Sequence, residues 1–176
     1  MAPAPAFAEK LNEQIGHEFA AHQQYVACAV FYDAEALPQL ARFFYRQALE
    51  ERGHAMMIQF LLDTGAPVTT PGVGEPHTAF ETLVEPITLA LAQERRVTEQ
   101  ISALAATARE AGDFTSEQFI QWFIKEQTEE VATMSNLLRV AERSREDAAA
   151  IEDFIAREQP GEEGTDPTAP AAAGAG

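Results

Sequence analysis

Four long segments of this sequence repeat apolar residues at alternating steps of three and four, the spacing of one face of an α-helix. The second of these stripes consists of Leu40, Phe44, Gln47, Glu51, His54, Ile58 and Leu61. Such a face turns toward the neighbouring helices of a bundle, so a carboxylate and an imidazole occupy interior positions. Because an unpaired buried carboxylate is costly, Glu51 needs a compensating group inside the bundle. Taken alone, Glu-x-x-His also fits an ordinary solvated helix face, but a buried pair of this kind can share one metal ion.

The stripes and the turn residues between them predict an all-α fold. The predicted helices cover residues 6–34, 38–64, 83–111 and 115–143, with a shorter C-terminal helix over 146–158. The link before Pro38 is short, so the first two helices are antiparallel neighbours. The segment after Gly65 is rich in Pro and Gly and is long enough to run the length of the bundle, which makes the third helix parallel to the second. We expect a four-helix bundle with one long crossover between helices two and three, and Thr115 or Ser116 as the cap of the fourth helix.

Polar residues interrupt all four stripes, and their spacing repeats. These interior residues are Glu18 in the first predicted helix, Glu51 and His54 in the second, Glu94 in the third, and Gln127 and Glu130 in the fourth. The second helix places its two polar residues 33 and 36 positions after Glu18, and the fourth helix places its two at the same intervals after Glu94. The chain is therefore predicted to be two matched helical hairpins whose six polar side chains meet at one level around two metal ions. Carboxylate and imidazole ligands without a thiolate suit iron or manganese and tolerate zinc.

The charge balance restricts the class of partner. The 176 residues include 28 acidic and 12 basic ones, which gives a formal net charge of −16. This balance disfavours nucleic acid and anionic membranes and favours cations, although an ordinary soluble acidic protein has it as well. An apolar content of 46% suits one compact domain with a sizeable core.

Cysteine usage and the two ends of the chain favour a cytoplasmic protein. Cys28 is the only cysteine, so no disulfide framework is expected, and we interpret it as a small packing residue without a redox role. The N-terminal residues lack the pattern of a secretion signal, and no apolar run is long enough to span a bilayer. Residues 159–176 are rich in Pro, Ala, Gly, Thr and acidic residues, which predicts a mobile tail.

The interior polar residues also resemble those of a known family, the non-haem bacterial ferritins, particularly the actinobacterial ones. The resemblance covers residues 1–158, which would form a ferritin-like di-iron domain. It rests on Glu18 with Tyr25, on Glu50-Glu51-x-x-His54, on Glu94, and on Glu126-Gln127-x-Glu129-Glu130. The resemblance implies that Glu18, Glu51 and His54 hold a first iron ion, with Glu51 bridging. It implies that Glu94, Glu130 and Gln127 serve the second.

Further side chains acquire a role through the same resemblance. Tyr25 is similar to the tyrosine beside the centre, and it joins the six ligands as a catalytic candidate. A weaker third iron site is implied at Glu50, Glu126 and Glu129, for which an ordinary wet acidic face is the alternative. Asp113 and Glu117 lie at the helix end that lines a three-fold pore in ferritins, although the helix dipole favours acids there in any case.

The resemblance excludes haem and implies a function in iron storage. The haem-binding bacterioferritins carry a methionine where this chain has Arg52, and they carry Glu and His where it has Gln127 and Glu130. In the implied reaction Fe²⁺ is oxidised by O₂ or hydrogen peroxide at the dinuclear centre. The Fe³⁺ is then deposited as a mineral inside a homo-oligomeric shell of 24 subunits.

Two other functions fit part of the pattern. One is a di-iron oxidase or peroxidase of the same bundle that acts on another substrate; a single cysteine excludes the rubredoxin-like cluster that some such enzymes carry. The other is a metal-free helical interaction module, against which the equal spacings weigh. The tail is a candidate for docking to a partner such as an encapsulating shell.

Overall fold

The chain forms six α-helices and no strand over the part that the computed structural model describes, residues 2–161 and 166–174. The helices are α1 Pro5–Ala34, α2 Pro38–Met56, α3 Gln59–Thr64, α4 Glu85–Glu110, α5 Phe114–Arg143 and α6 Ala148–Glu158. α1 packs along α2 and α4 packs along α5, while α3 follows α2 within the second predicted helix. The predicted bundle, its crossover and its short C-terminal helix are thereby confirmed. None of these described helices is apolar over enough of its length to cross a lipid bilayer.

Proline and glycine mark several ends of the described helices. Pro5, Pro38 and Pro86 lie in the first turns of α1, α2 and α4, where the missing N–H has no intrahelical partner in any case. Gly65 follows α3 with φ 74°, a left-handed conformation that glycine adopts without strain.

The second predicted helix is interrupted, so the prediction of one continuous helix over 38–64 was wrong. Between α2 and α3 the N–H groups of Met57 and Ile58 bond to carbonyls three residues earlier, at 3.1 and 3.3 Å. This tighter bonding is that of a 3₁₀ turn. The interior stripe nevertheless continues across the break, because Leu61 is fully buried. Periodicity alone therefore did not reveal the interruption.

The cap of α5 also differs from the prediction. Asp113, and not Thr115 or Ser116, precedes the helix and caps it by accepting from the Ser116 N–H at 3.1 Å. The Asp113 carboxylate accepts in addition from the Ala4 N–H at 2.8 Å. Burial opposes the change, but a hydrogen bond from the Ser116 hydroxyl, together with those from backbone N–H groups, lowers the pKa of Asp113. The Asp113 carboxylate thus links the start of α1 to the start of α5 through hydrogen bonds.

The crossover between α3 and α4 lies along α1. Asn12 Oδ1 accepts from the Thr69 N–H at 2.6 Å. Further along, Gln24 Nε2 donates to the His77 carbonyl and its Oε1 accepts from the His77 N–H, each at 2.8 Å. The two contacts on α1 are about 18 Å apart at the rise of an α-helix, so the crossover follows the bundle axis as the parallel third helix requires.

The core consists of two apolar layers with a polar level between them. One layer includes Tyr25, Tyr32, Leu40, Phe44, Ile87, Met134 and Leu137. The other includes Phe7, Leu11, Leu61, Ile101, Leu104, Ile120 and Phe123. Along α1, α2, α4 and α5 the polar residues singled out in the sequence fall between these layers. Two apolar layers therefore enclose one polar level inside the bundle.

The described part of the tail contacts the bundle. Asp166 Oδ2 accepts from Trp122 Nε1 at 3.0 Å, and the Ala173 N–H donates to the Met56 carbonyl at 2.8 Å. Mobility of the tail over 159–176 stays a prediction, and residues 162–165 and 175–176 lie outside the described residues.

Candidate metal centre

All six predicted ligands are buried at the polar level of the bundle. The exposed fractions are 2% for Glu18, 1% for Glu51, 8% for His54, 0% for Glu94, 3% for Gln127 and 7% for Glu130. Four carboxylates are thus withdrawn from bulk solvent within one small domain. Carboxylates reach this degree of burial only when they are paired, protonated or bound to a cation.

Three of these residues form a group with the geometry of a metal site. One ligand atom from each of Glu18, Glu51 and His54 lies within 4.8 Å of the other two, and Glu51 Oε2 is 3.5 Å from His54 Nδ1. The Oε2 atoms of Glu18 and Glu51 have no hydrogen-bond partner among the described residues. A divalent cation would satisfy both oxygen atoms, so the residues present fit an ion that accepts oxygen and imidazole ligands.

Burial and mutual repulsion disfavour the ionised form of these carboxyl groups. Burial raises the pKa of Glu18 well above its ordinary value, and repulsion from Glu51 raises it further. Burial likewise raises the pKa of Glu51 well above its ordinary value, with repulsion from Glu94 next in importance. A bound cation reverses both effects because it favours the charged carboxylates, and its binding therefore releases protons.

Glu94 is held by two neighbours from other helices. The Tyr25 hydroxyl donates to Glu94 Oε1, and Gln127 Nε2 donates to Glu94 Oε2 at 3.1 Å. Burial raises the pKa of Glu94, and these two hydrogen bonds oppose the rise. Tyr25 and Gln127 therefore fix the orientation of this carboxyl group.

Glu130 faces the same polar level from α5. Gln47 Nε2 lies 3.4 Å from Glu130 Oε1. Neither Glu94 nor Glu130 belongs to the three-residue group, but both repel the charge of Glu51 and contribute to its raised pKa. The two halves of the predicted centre are therefore close enough to interact electrostatically.

Two amides that the sequence analysis did not assign to the site contact its ligands. Gln14 Nε2 donates to Glu18 Oε1 at 2.8 Å, and Gln47 contacts Glu130 as described. Both amides are buried, and each precedes a ligand glutamate by four residues. One helical turn separates such positions, so the spacing was the available signal for the contact of Gln14 with Glu18, whereas the contact of Gln47 with Glu130 joins two helices and carries no such signal.

Aromatic rings close the centre beside His54. The rings of Trp122 and Phe123 lie edge-on to the imidazole, with centroid distances of 5.7 and 5.8 Å. The cavity next to Glu18 and His54 has a volume of only about 10 Å³ and an otherwise mainly apolar lining. An apolar wall strengthens the electrostatic interactions of the site because it excludes water. Since Trp122 also binds Asp166, the described part of the tail reaches this wall.

The residues predicted for a third iron site are half-buried. They are Glu50, Glu126 and Glu129. Glu50 accepts from Gln47 Nε2, and Glu129 Oε1 lies 3.6 Å from Lys125 Nζ. Within the described residues these three do not form a group of the kind that Glu18, Glu51 and His54 form. Their role as iron ligands stays a prediction.

Comparison with known proteins finds relatives that extend over most of the chain. The family model described as Ferritin-like domain matches residues 8–144. The chain is 55% identical to Ferritin BfrB of Mycolicibacterium smegmatis over 93% of its own length and 91% of that protein. It is 34% identical to the bacterial non-heme ferritin of Staphylococcus aureus, over 81% of this chain and 87% of that one. Among solved structures, an open pore ferritin from the hyperthermophilic archaeon Archaeoglobus fulgidus superposes with a TM-score of 0.84 at 27% identity and covers 91% of this chain and 99% of its own.

Proposed function

We propose that this chain, which belongs to the ferritin family as a bacterial non-haem ferritin, oxidises Fe²⁺ at its buried carboxylate and histidine centre. Iron storage follows from membership of the family over nearly the whole chain. The oxidation step, the identity of its ligands and the size of the assembly are the proposed parts. The oxidant would be O₂ or hydrogen peroxide.

One observation carries the proposal. Two buried carboxylate oxygen atoms, from Glu18 and Glu51, have no hydrogen-bond partner among the described residues, and a nitrogen of the His54 imidazole lies within 4.8 Å of both carboxylates. Leaving such atoms unsatisfied is costly for a fold that gains nothing from them. Binding of Fe²⁺ removes that cost, which supports a function in which iron enters this site.

The residues would contribute to the reaction through their charge and through hydrogen bonds. Glu18, Glu51 and His54 would bind one Fe²⁺, and Glu94 with Glu130 and Gln127 would bind the second. Deprotonated carboxylates stabilise Fe³⁺ more than Fe²⁺, which lowers the barrier to electron loss. Because oxygen ligands on glutamate side chains are flexible, the product can leave. The half-buried acids Glu50, Glu126 and Glu129 would receive Fe³⁺ on its way to the mineral.

We also propose that copies of this chain form a hollow shell of 24 subunits. Large apolar side chains are exposed on the single chain, with exposed fractions of 53% for Val30, 65% for Leu49, 53% for Leu62 and 79% for Phe114. They lie on α1, α2, α3 and the first residue of α5, so apolar area is exposed at several places on the subunit. Contact with further copies would cover these areas.

The rival di-iron enzyme with an organic substrate receives little support. Such an enzyme needs an apolar pocket beside the metal ions, whereas the cavity next to Glu18 and His54 is about 10 Å³ in volume. That space is about the size needed for a single water molecule. The metal-free module is disfavoured because it would bury four carboxylates without compensation.

An anaerobic titration with Fe²⁺ followed by O₂ tests the proposal. Absorbance reports oxidation, and electron microscopy of the same sample reports whether hollow particles fill with iron. We expect rapid oxidation and filled particles. Oxidation without particle filling would favour an enzyme acting on another substrate, and the absence of both would contradict a ferroxidase.

A further inference from the structure

Gln47 connects the buried metal centre to a half-buried acid beside it. It lies on α2, about one turn before both Glu50 and Glu51, and it is fully buried. Its Nε2 atom donates to Glu50 Oε2 and lies 3.4 Å from Glu130 Oε1 on α5. One amide nitrogen atom therefore contacts both a proposed ligand of the second iron ion and an acid of the predicted third site.

The hydrogen-bonding capacity of the Gln47 amide matches these two carboxylates. A side-chain amide carries two N–H groups on one nitrogen atom, so it can donate to Glu50 and to Glu130 at the same time. Each carboxylate contacts the amide through one oxygen atom, and a carboxylate has a second oxygen atom that can bind a cation. Gln47 thus keeps the two carboxylates close to each other.

The carbonyl oxygen of the Gln47 side chain has no such contact. Gln47 Oε1 is buried and has no hydrogen-bond partner in the described part of the chain. An unsatisfied buried acceptor is costly, and an unbranched methionine would fill a similar space without that cost. Packing alone therefore does not account for an amide at this position, whereas donation to two carboxylates does.

Gln14 is the matching amide of α1. It is buried, it precedes Glu18 by four residues, and it donates to Glu18 Oε1 at 2.8 Å. This hydrogen bond stays within one helix, whereas the contact of Gln47 with Glu130 joins α2 to α5. The contacts of Gln47, unlike that of Gln14 with Glu18, connect the dinuclear centre with an acid of the predicted third iron site.

We propose that Gln47 is a positioning residue for the departure of oxidised iron: it orients Glu130 and Glu50 so that Fe³⁺ passes from the first carboxylate to the second. This inference rests on the proposed function. The step is an exchange of oxygen ligands, in which the bond from Fe³⁺ to Glu130 breaks and a bond to Glu50 forms, and no electron is transferred. Residues that orient metal ligands by hydrogen bonds affect metal affinity or activity by about 10- to 100-fold.

The test measures how soon the centre is available for a second round of oxidation. Two Fe²⁺ ions per chain are bound anaerobically and oxidised by O₂, and two more are added after a variable delay. We expect Gln47→Met to lengthen the delay needed for recovery of the fast phase by about tenfold. The first fast phase should slow much less, because Glu18, Glu51 and His54 do not depend on this amide.

Two further variants serve as comparisons. Gln14→Met removes the matching amide from the other half of the centre, and it should not lengthen recovery by a larger factor than it slows the first phase. Gln47→Glu keeps the side-chain length but replaces the donor with a group that repels both carboxylates, so recovery should be slow here as well. A wild-type recovery time in either Gln47 variant, or an equal slowing of the first phase and the recovery, overturns the inference.

Calorimetric titration with Zn²⁺ gives a measurement that does not involve oxidation. The wild type should bind two Zn²⁺ ions tightly and a further ion more weakly. Gln47→Met should weaken the binding of this further ion by about 10- to 100-fold, whereas Gln14→Met should leave its affinity unchanged. Equal affinity for the further ion in the wild type and in Gln47→Met contradicts the role of Gln47.

The outcomes separate this inference from the proposed function. Absence of a fast phase in the wild type contradicts the proposed function and this inference with it. A normal fast phase in the wild type, followed by a recovery that Gln47→Met leaves unchanged, contradicts this inference alone.

Discussion

Glu51 shows how one side chain opposes folding and favours metal binding. Glu51 is 1% exposed, its carboxyl group lies among other carboxylates, and one of its oxygen atoms has no hydrogen-bond partner in the described part of the chain. A buried group of this kind destabilises the metal-free protein because its charge has lost water and gained repulsion. An apolar or amide side chain of similar volume would fit the fold better. The conflict is resolved when a cation supplies the missing interactions.

The first prediction concerns the pH dependence of the metal-free protein. Burial raises the folded-state pKa of Glu51, so the unfolded chain loses this proton at a lower pH than the folded chain does. Glu51 therefore lowers the free energy of unfolding progressively as the pH rises from the ordinary pKa of glutamate, about 4.3, through the raised folded-state pKa. We expect Glu51→Gln to make the loss of thermal stability between about pH 5 and pH 8 less steep.

Calorimetry in the presence of a chelator measures how the thermal stability of the metal-free protein changes with pH. Addition of Zn²⁺ should stabilise the wild type more than the Glu51→Gln variant, since only the wild type keeps the full set of anionic ligands. Equal pH slopes for the two metal-free proteins would show that Glu51 has the same ionisation in the folded and unfolded chains.

At the scale of helices, regular geometry determined how much could be predicted. The intervals after Glu18 and Glu94 agree because two hairpins of equal length bring equal positions to one level, and the structure buries all these residues between two apolar layers. The break after α2 could not be predicted because an apolar stripe continues through a 3₁₀ turn. The cap of α5 was missed because Asp, Ser and Thr are all good caps and all three precede Glu117.

The distances between individual side chains depend on tertiary packing, and helical periodicity carries no information about that packing. Glu18, Glu51 and His54 come within 4.8 Å of one another, whereas Glu94 interacts with Tyr25 and Gln127. The contact of Gln14 with Glu18 depends on the rotation of α1 about its axis. A shift of one residue in the stripe would turn this amide by about 100°, so the sequence pattern alone did not assign it to the site.

The second prediction concerns the packing of the crossover against α1. A Cβ atom added at Gly16 would lie 2.8 Å from Pro71 Cγ, whereas one added at Gly53 in α2 would meet nothing within 4 Å. Alanine favours a helix over glycine by about 1 kcal/mol, so Gly53→Ala should raise the free energy of unfolding. Gly16→Ala should not raise the free energy of unfolding in this way, because Pro71 and the crossover must move to make room for the added methyl group. Chemical denaturation of the two variants measures the difference, and equal stabilisation by both would contradict the close packing of Pro71 on α1.

At the scale of the whole molecule, net charge and the proposed assembly would determine how Fe²⁺ approaches the protein. The formal charge of −16 per chain makes a shell of such chains strongly attractive to Fe²⁺. Asp113 is occupied as a helix cap. Glu117 is 22% exposed, and its Oε1 lies 2.8 Å from both Nε and Nη2 of Arg109. The acid predicted to line a pore is therefore paired with a cation on the same subunit.

The third prediction uses this pair and rests on the proposed shell. Glu117→Ala should slow uptake of Fe²⁺ at low ionic strength, whereas Arg109→Ala should accelerate it by leaving the carboxylate unneutralised. Added salt should shrink both differences from the wild type through screening. Stopped-flow uptake at low and high salt measures these effects. Identical rates for all three proteins at low salt would remove Glu117 from the path of iron.

The central claim is that Fe²⁺ is oxidised at the buried centre inside each chain. The most direct measurement is the stoichiometry of rapid oxidation when anaerobically bound Fe²⁺ meets O₂, compared between the wild type and the double variant Glu51→Ala with His54→Ala. In the wild type we predict a fast phase that saturates at about two Fe²⁺ ions per chain, as a two-metal site requires. The double variant should lack this phase while it forms particles of the same size, because the centre lies within one subunit. An undiminished fast phase in assembled particles of the double variant would contradict the account.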